Sequence, residues 1–209
     1  MRYYFLSFIL VCCFLKSVNA QIGNTVIGAD ATALGGITTG QYNAYSAMNN
    51  PALMTNLTNW QAGIFSEQRY GLKELNFSNL SLVIPTKSIH FGAGINYFGF
   101  ANYNQQQFTF STAKKLNESF SLGAQINYQL TNILDYGSAG AWTIAVGLHY
   151  KPINNIALSG YIYNPTQQKY GNAVSDKIPA FFRLGMVYNV NKLVDVLAEG
   201  EQTLEQNLI

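Results

Sequence analysis

Apolar and polar residues alternate along much of this chain, most clearly between Ser119 and Leu130. In that segment every second residue is apolar without a break, namely Phe120, Leu122, Ala124, Ile126, Tyr128 and Leu130. The residues between them are small or polar and uncharged. Because successive side chains of a β-strand point to opposite faces, the segment predicts a strand with one apolar and one wettable face.

Similar segments recur from Trp60 onward and predict a run of antiparallel strands. The predicted strands are Trp60–Gln68, Leu75–Ile84, His90–Phe100, Gln105–Lys114, Ser119–Leu130, Ala139–Tyr150, Ile156–Tyr163 and Ile178–Asn189, with a ninth starting at Leu193. Short turns are expected after residues 84, 114, 150 and 189, and longer loops near 70, 102, 134 and 170. This asymmetry is typical of bacterial outer-membrane barrels, whose short turns face the periplasm.

The composition favours a membrane setting. Hydrophobic residues make up 48% of the chain and charged residues only 11%, against about 25% charged residues in ordinary soluble domains. No segment after residue 20 approaches the ~20 continuous apolar residues that a membrane-spanning helix needs. The sequence therefore predicts an all-β fold, an antiparallel transmembrane β-barrel or the N-terminal eight to nine strands of one, embedded in outer-membrane lipid. A secreted β-sandwich, which also alternates, is the alternative.

Residues 1–20 have the layout of a secretory signal peptide. Arg2 precedes an apolar run, and Val18-Asn19-Ala20 predicts cleavage after Ala20. A lipoprotein is the alternative, because Cys12 and Cys13 lie inside the apolar run. Without this segment the chain has no cysteine and 10 basic residues against 10 acidic ones. The mature protein is therefore expected to have no disulfide and no reason to bind nucleic acid.

Residues 21–59 differ from the rest and are expected to form a lead-in with short helical turns before a barrel domain at residues 60–209. The lead-in is rich in Gly, Ala, Thr and Asn, with chain breakers at Gly35-Gly36 and at Asn49-Asn50-Pro51. Nine strands do not close the even-numbered barrel of a single bacterial chain. Either eight strands close and residues 193–209 form a helix, or the chain is the front part of a longer barrel. We expect the second arrangement.

A family resemblance rests on two motifs of the lead-in. The segment Gly28-Ala29-Asp30-Ala31-Thr32-Ala33-Leu34-Gly35-Gly36, followed by Asn50-Pro51-Ala52-Leu53, resembles the entry segment of the PorV/PorQ group of FadL-like outer-membrane proteins from Bacteroidota. The resemblance implies a fourteen-stranded barrel whose N-terminal segment is associated with the lumen. This chain departs from the family pattern at Asp30, where the family often has Arg, and at Thr39–Asn43, which lacks an acidic stretch.

The resemblance implies two functions. The first is a non-catalytic barrel that serves type IX protein secretion and handles surface cargo, binding secretion-machinery proteins or cargo through the loop Asn164–Lys177. The second is a FadL-like channel for hydrophobic small molecules. Neither requires a cofactor, and the sequence contains no nucleophile motif, phosphate loop or metal-ligand spacing.

Seven residues are candidates for a site. Gly35, Gly36, Asn50 and Pro51 are expected either to form a plug that touches the substrate or to pack tightly as a seal. His90, His149 and Arg183 have lumen-facing parity. The two histidines are conceivable as a pair. Arg183 is expected to need a lumenal partner such as Glu67, or water, and to act either as a charge that tunes the pore or as a member of an ion pair.

Overall fold

A computed structural model describes residues 26–170 and 178–204. The predicted signal peptide, with Cys12 and Cys13, lies outside the described residues. So do residues 171–177 of the predicted loop and residues 205–209 at the end of the chain.

One nine-stranded antiparallel sheet forms the body of the protein, and each strand pairs with the next in sequence. The strands are β1 (Gln61–Gln68), β2 (Asn76–Pro85), β3 (His90–Phe100), β4 (Tyr103–Lys115), β5 (Phe120–Ile133), β6 (Gly137–Ile153), β7 (Ile156–Tyr163), β8 (Phe181–Asn189) and β9 (Asp195–Thr203). No pairing joins β1 to β9, so these strands are the two edges of an open sheet. The fold is a partial barrel.

The alternation of side chains is confirmed. On β6 the Trp142 side chain is 61% exposed on the outer face, whereas its neighbour Thr143 on the inner face is 1% exposed. On β5 Leu122 and Ile126 are exposed in the same way, while Asn127 is fully buried. The outer face therefore presents large apolar groups, which is the arrangement that lipid requires of a barrel.

Two predicted loops are shorter than expected. Residues 131–133 and 137–138 continue the ladder of β5 and β6, in which Ile133 pairs with Gly137, so that only residues 134–136 form the turn, and Phe100 pairs with Tyr103 across the β3–β4 turn. Polar residues such as Asn132 and Ser138 pair through their backbones as apolar ones do. Their polarity marks the level at which the strands leave the apolar band, and the strands themselves continue beyond it.

The alternative of a helix after residue 193 is wrong for the described residues, and the predicted ninth strand is present. Residues 195–203 form β9, which pairs with β8 from Asn189↔Asp195 to Phe181↔Thr203. Two of the three acidic residues of this strand, Glu199 and Glu201, share one parity and face inward with Arg183.

The lead-in contains short helical turns, as predicted. They are α1 (Ala29–Ala33), α2 (Ser46–Asn49) and a 3₁₀ helix (Pro51–Asn56). The turns α2 and the 3₁₀ helix pack against the inner face of the sheet, chiefly on β3 to β6. Among the described helices, none is long and apolar enough to cross a bilayer.

An arginine at the middle of the outer face tests the membrane embedding. We expect Ile144→Arg to reduce the free energy of folding into lipid vesicles by about 2–4 kcal/mol, because a charge at the bilayer midplane is desolvated. The control is Ser138→Arg, on the same strand and face but beyond the apolar band, with an expected loss of about 0–1 kcal/mol. Urea titration of folding measures both, and equal losses would contradict the embedding.

Candidate functional site

The lead-in lies against the inner face at strand positions that have no side chain. A Cβ atom built on each of six inward glycines would come within 2.9 Å of another side chain or of the lead-in backbone. On Gly147 it would lie 2.1 Å from Asn50 Oδ1, and on Gly123 it would lie 2.5 Å from the backbone nitrogen of Ala52. The six are Gly63, Gly92, Gly94, Gly123, Gly147 and Gly185. We call residues 26–57 the plug, because they fill the concave side of the sheet.

Asn50 connects the plug to two strands. Its Nδ2 donates to the carbonyl oxygen of Gly160 on β7 at 3.1 Å and to that of Leu148 on β6 at 3.5 Å. Its Oδ1 accepts from the backbone N–H of Ala52 at 3.1 Å, which caps the 3₁₀ helix. Pro51 occupies the first position of that helix, where a missing N–H leaves no bond unmade. Asn50 and Pro51 thus form one rigid corner against the sheet.

Apolar side chains hold the same part of the plug. Met48, Met54 and Leu57 are buried against strand residues that include Phe65 and Phe77. Asn49 adds two bonds within the plug, because its Nδ2 donates to the carbonyl oxygen of Ile27 at 2.7 Å and its Oδ1 accepts from the N–H of Ile27 at 3.1 Å. Sequence reasoning missed Asn49 as a candidate, since nothing marks its partner.

Gly35 and Gly36 have a different place from the other two plug candidates. Both have positive φ, 72° and 92°, and the Gly36 N–H donates to the carbonyl oxygen of Ala31 at 2.9 Å. They therefore end α1 in the left-handed conformation that favours glycine. A Cβ on Gly35 would meet nothing within 4 Å. Their role in a gate stays a prediction.

Arg183 lies in a buried charged network whose partners differ from the one expected. Its Nη2 donates to Glu201 Oε2 at 2.6 Å, and its Nε lies 3.3 Å from Glu199 Oε1. The side chains of Arg183 and Glu199 are 4% and 6% exposed. Glu67, the expected partner, lies on β1 and pairs instead with Arg69, with 3.5 Å between Glu67 Oε1 and Arg69 Nε. Glu67 was the wrong partner because β9, which carries both carboxylates, is the direct neighbour of β8.

The network extends into the plug through Thr38 and Thr39. The Glu199 carboxylate accepts from the backbone N–H of Thr38 at 3.1 Å, and from the N–H and hydroxyl of Thr39 at 2.7 and 2.6 Å. Arg183 Nη1 donates to the Thr38 hydroxyl at 3.1 Å. Thr39 reaches this place because Gly185 leaves room, since a Cβ there would lie 1.9 Å from Thr39 Oγ1.

His90 and His149 both face inward but do not form a pair. They lie on β3 and β6 with β4 and β5 between them. The His149 ring is buried and meets the edge of Tyr42 of the plug at 5.7 Å between centroids. His90 Nε2 lies 3.2 Å from the carbonyl oxygen of Leu57. Both rings therefore contact the plug, and residues 26–170 and 178–204 contain no cluster of three or more His, Cys, Asp or Glu side chains.

Beyond the plug, toward the β5–β6 hairpin, uncharged amides line the inner face. Asn127 Oδ1 accepts from the Thr109 hydroxyl and from Gln125 Nε2, each at 2.7 Å, and from Gln107 Nε2 at 3.1 Å. Asn79 Nδ2 donates to Asn96 Oδ1 at 2.7 Å on the neighbouring strands. These bonds satisfy the amides among themselves, as buried polar groups require.

An aromatic cluster lies on β7 and β8 beside the amides. The rings of Tyr163 and Phe181 stack with centroids 5.3 Å apart, and Tyr161 lies 5.9 Å from Phe181. The Tyr161 hydroxyl donates to Gln125 Oε1 at 3.2 Å. The inner face thus offers one apolar wall and one hydrogen-bonding wall.

Comparison with known proteins gives a match in fold. No protein-family model and no curated protein matches this chain. It is similar to the crystal structure of a FadL homologue from Pseudomonas aeruginosa, with a TM-score of 0.56 at 14% identity, over 78% of this chain and 64% of that one. The fold is that of a FadL-like barrel. A weaker likeness links it to the CymD monoaromatic hydrocarbon channel, with a TM-score of 0.48 at 16% identity, over 83% of this chain and 59% of that one.

This chain therefore spans less than two thirds of the length of both proteins. The similarity shows the fold alone and assigns no role to any residue of the site.

Filling a glycine position tests the seating of the plug. We expect Gly123→Ala to lower the free energy of unfolding by about 1–3 kcal/mol, because the added methyl group meets backbone atoms that cannot rotate away. The control is Gly200→Ala on β9, where a Cβ meets nothing within 4 Å. Urea unfolding in detergent measures both variants. An unchanged stability for Gly123→Ala would show that the plug is not held at this position.

Proposed function

We propose that this protein is a non-catalytic FadL-like outer-membrane channel that admits small hydrophobic molecules past its N-terminal plug. One observation carries the proposal: the plug fits against inward glycines of a barrel sheet that presents apolar residues outward. A barrel that only anchored a protein in the membrane would have no need of an internal segment held at so many points. The predicted signal peptide agrees with an outer-membrane location.

The inner face supports an apolar substrate only in part. Tyr161, Tyr163 and Phe181 would offer an aromatic surface to an apolar solute only after the plug moves, since all three are buried and the Tyr161 hydroxyl lies 3.5 Å from the carbonyl oxygen of Met48. The amides lie beside this cluster, so the solute would meet surfaces of different chemistry. Apolar groups of the plug, including Met48 and Met54, lie next to the amide wall, since the thioether of Met48 is 3.0 Å from Asn79 Nδ2.

We further propose that additional strands close the barrel. The outer edges of β1 and β9 carry backbone N–H and C=O groups that have no strand partner within the nine-stranded sheet. In hydrocarbon such groups need partners, because each unsatisfied group costs several kcal/mol. Further strands between these edges would complete the wall of the lumen.

A role like that of the PorV/PorQ group is the second candidate. The motif residues of the resemblance support it, since Asn50 and Pro51 form the corner of the plug and Gly35 and Gly36 end α1. In this role the chain would serve type IX secretion and bind secreted cargo at the cell surface. The segment after β7, of which residues 164–170 are described, would supply the binding loop.

Uptake in a deletion strain separates the two candidates. We expect cells without the gene to accumulate less labelled fatty acid or aromatic hydrocarbon, and the wild-type gene to restore accumulation. Surface cargo is measured in the same cells as the control for a secretion role. Normal accumulation together with lost surface cargo would contradict the channel and favour the secretion role.

A further inference from the structure

The plug has two attachments of different chemistry. Residues 38–40 contact β8 and β9, where the plug meets the charges of Arg183 and Glu199. Residues 47–57 contact β2 to β6, in part through apolar side chains, and bond to β6 and β7 through the Asn50 corner. We call the first attachment the latch and the second the anchor.

The latch depends on one carboxylate. Glu199 accepts from both backbone N–H groups and both hydroxyls of Thr38 and Thr39, at distances between 2.6 and 3.3 Å. Hydrogen bonds to a charged acceptor are strong, but water forms bonds with the carboxylate and with the threonine groups once they separate. Because the charged groups recover hydration on release, the net free energy of such a buried contact is small.

The contacts of the anchor are mainly apolar, and water cannot replace them in this way. Met54 and Leu53 are fully buried, and Met48 and Leu57 nearly so. Moving them away from the strands would expose apolar surface, for which water offers no compensating bond. The Asn50 corner adds bonds to the backbone of β6 and β7. The anchor therefore resists separation more than the latch does.

A short connection allows the two to move separately. Gly40, at the end of the latch, has a φ of 83°, and residues 41–45 lead from it to α2 without regular secondary structure. Tyr42 in this connection contacts the sheet through its edge-on packing with the His149 ring. Rotation at these residues would lift the latch while the anchor keeps its contacts.

We propose that the contact of Thr38 and Thr39 with Glu199 is a releasable latch, and that the plug opens along β8 and β9 while the anchor stays seated. The inference rests on the proposed channel function and adds where the passage forms. Arg183 holds Glu199 in place as a positioning residue, and Glu201 holds Arg183 from the other side. The alternative is a static brace, in which the latch and the anchor loosen only together.

Amide hydrogen exchange on the full chain in detergent tests this directly. We expect Glu199→Gln to raise the exchange rates of the Thr38 and Thr39 amides about tenfold or more, since each loses a charged acceptor. The amides of Leu53 and Leu57, which bond within the anchor, should keep their rates. Thr39→Val, which removes only the hydroxyl, should give a smaller change in the same direction and serves if Glu199→Gln does not fold.

Glu67→Gln is the matched control, because Glu67 also pairs with an arginine but lies on β1 away from the plug contacts of Glu199. Unchanged exchange at Thr38 and Thr39 in Glu199→Gln would overturn the proposal, as would equal acceleration in latch and anchor.

Uptake of labelled fatty acid in cells with each variant is the second measurement. Faster latch exchange with raised uptake supports the inference. Faster amide exchange at Thr38 and Thr39 in a protein that transports no labelled fatty acid would support the latch and contradict only the channel function.

Discussion

The arrangement of this protein depends on inward strand positions that lack a side chain. About thirty residues of the chain fit against the concave face only because six glycines on five strands let the backbone and side chains of the plug approach. A barrel wall built with larger inward residues would hold the plug away from the strands and leave its apolar groups in contact with water. The outer face obeys a separate requirement, since hydrocarbon demands large apolar groups there. The period of two lets one strand meet both requirements.

The same geometry explains why the plug is held by two kinds of contact. Opposite β2 to β6 the inner face has room and little charge, so the plug presents methionine and leucine side chains. Opposite β8 and β9 the inner face carries Arg183, Glu199 and Glu201, so the plug presents threonine hydroxyls and backbone N–H groups. Each segment of the plug carries groups that suit the strands that it faces. Apolar contacts and charged contacts therefore contribute unequally to holding the plug in place.

The strands and their faces could be predicted because alternation is a local property. β3 and β7 agree with the predicted bounds, and the apolar parity of β5 and β6 is confirmed. The lengths of the β3–β4 and β5–β6 hairpins could not be read in this way, because polarity reports depth in the membrane and not the end of a strand. A ninth strand was expected from Leu193, but its extent could not be predicted, because the partner of Glu199 and Glu201 lies on β8.

The site was predictable only in part. Asn50 and Pro51 stood out as chain breakers, and they do form the corner of the plug. The alternation of Gly92 and Gly94 on an inward face was visible in the sequence and could have indicated a close neighbour. Thr38, Thr39 and Glu199 could not be found, because about 160 residues separate them. Only the pairing of β8 with β9 brings their chemistry together.

The most direct measurement of the account is a disulfide cross-link between the plug and the wall. Met48 and Asn79 lie in side-chain contact at 3.0 Å, so the double variant Met48→Cys with Asn79→Cys should form a disulfide on mild oxidation in intact membranes. The pair Met48→Cys with Asn132→Cys, at the far end of β5, should remain reduced. A cross-link at Asn132 and none at Asn79 would show that the N-terminal segment does not occupy the concave face.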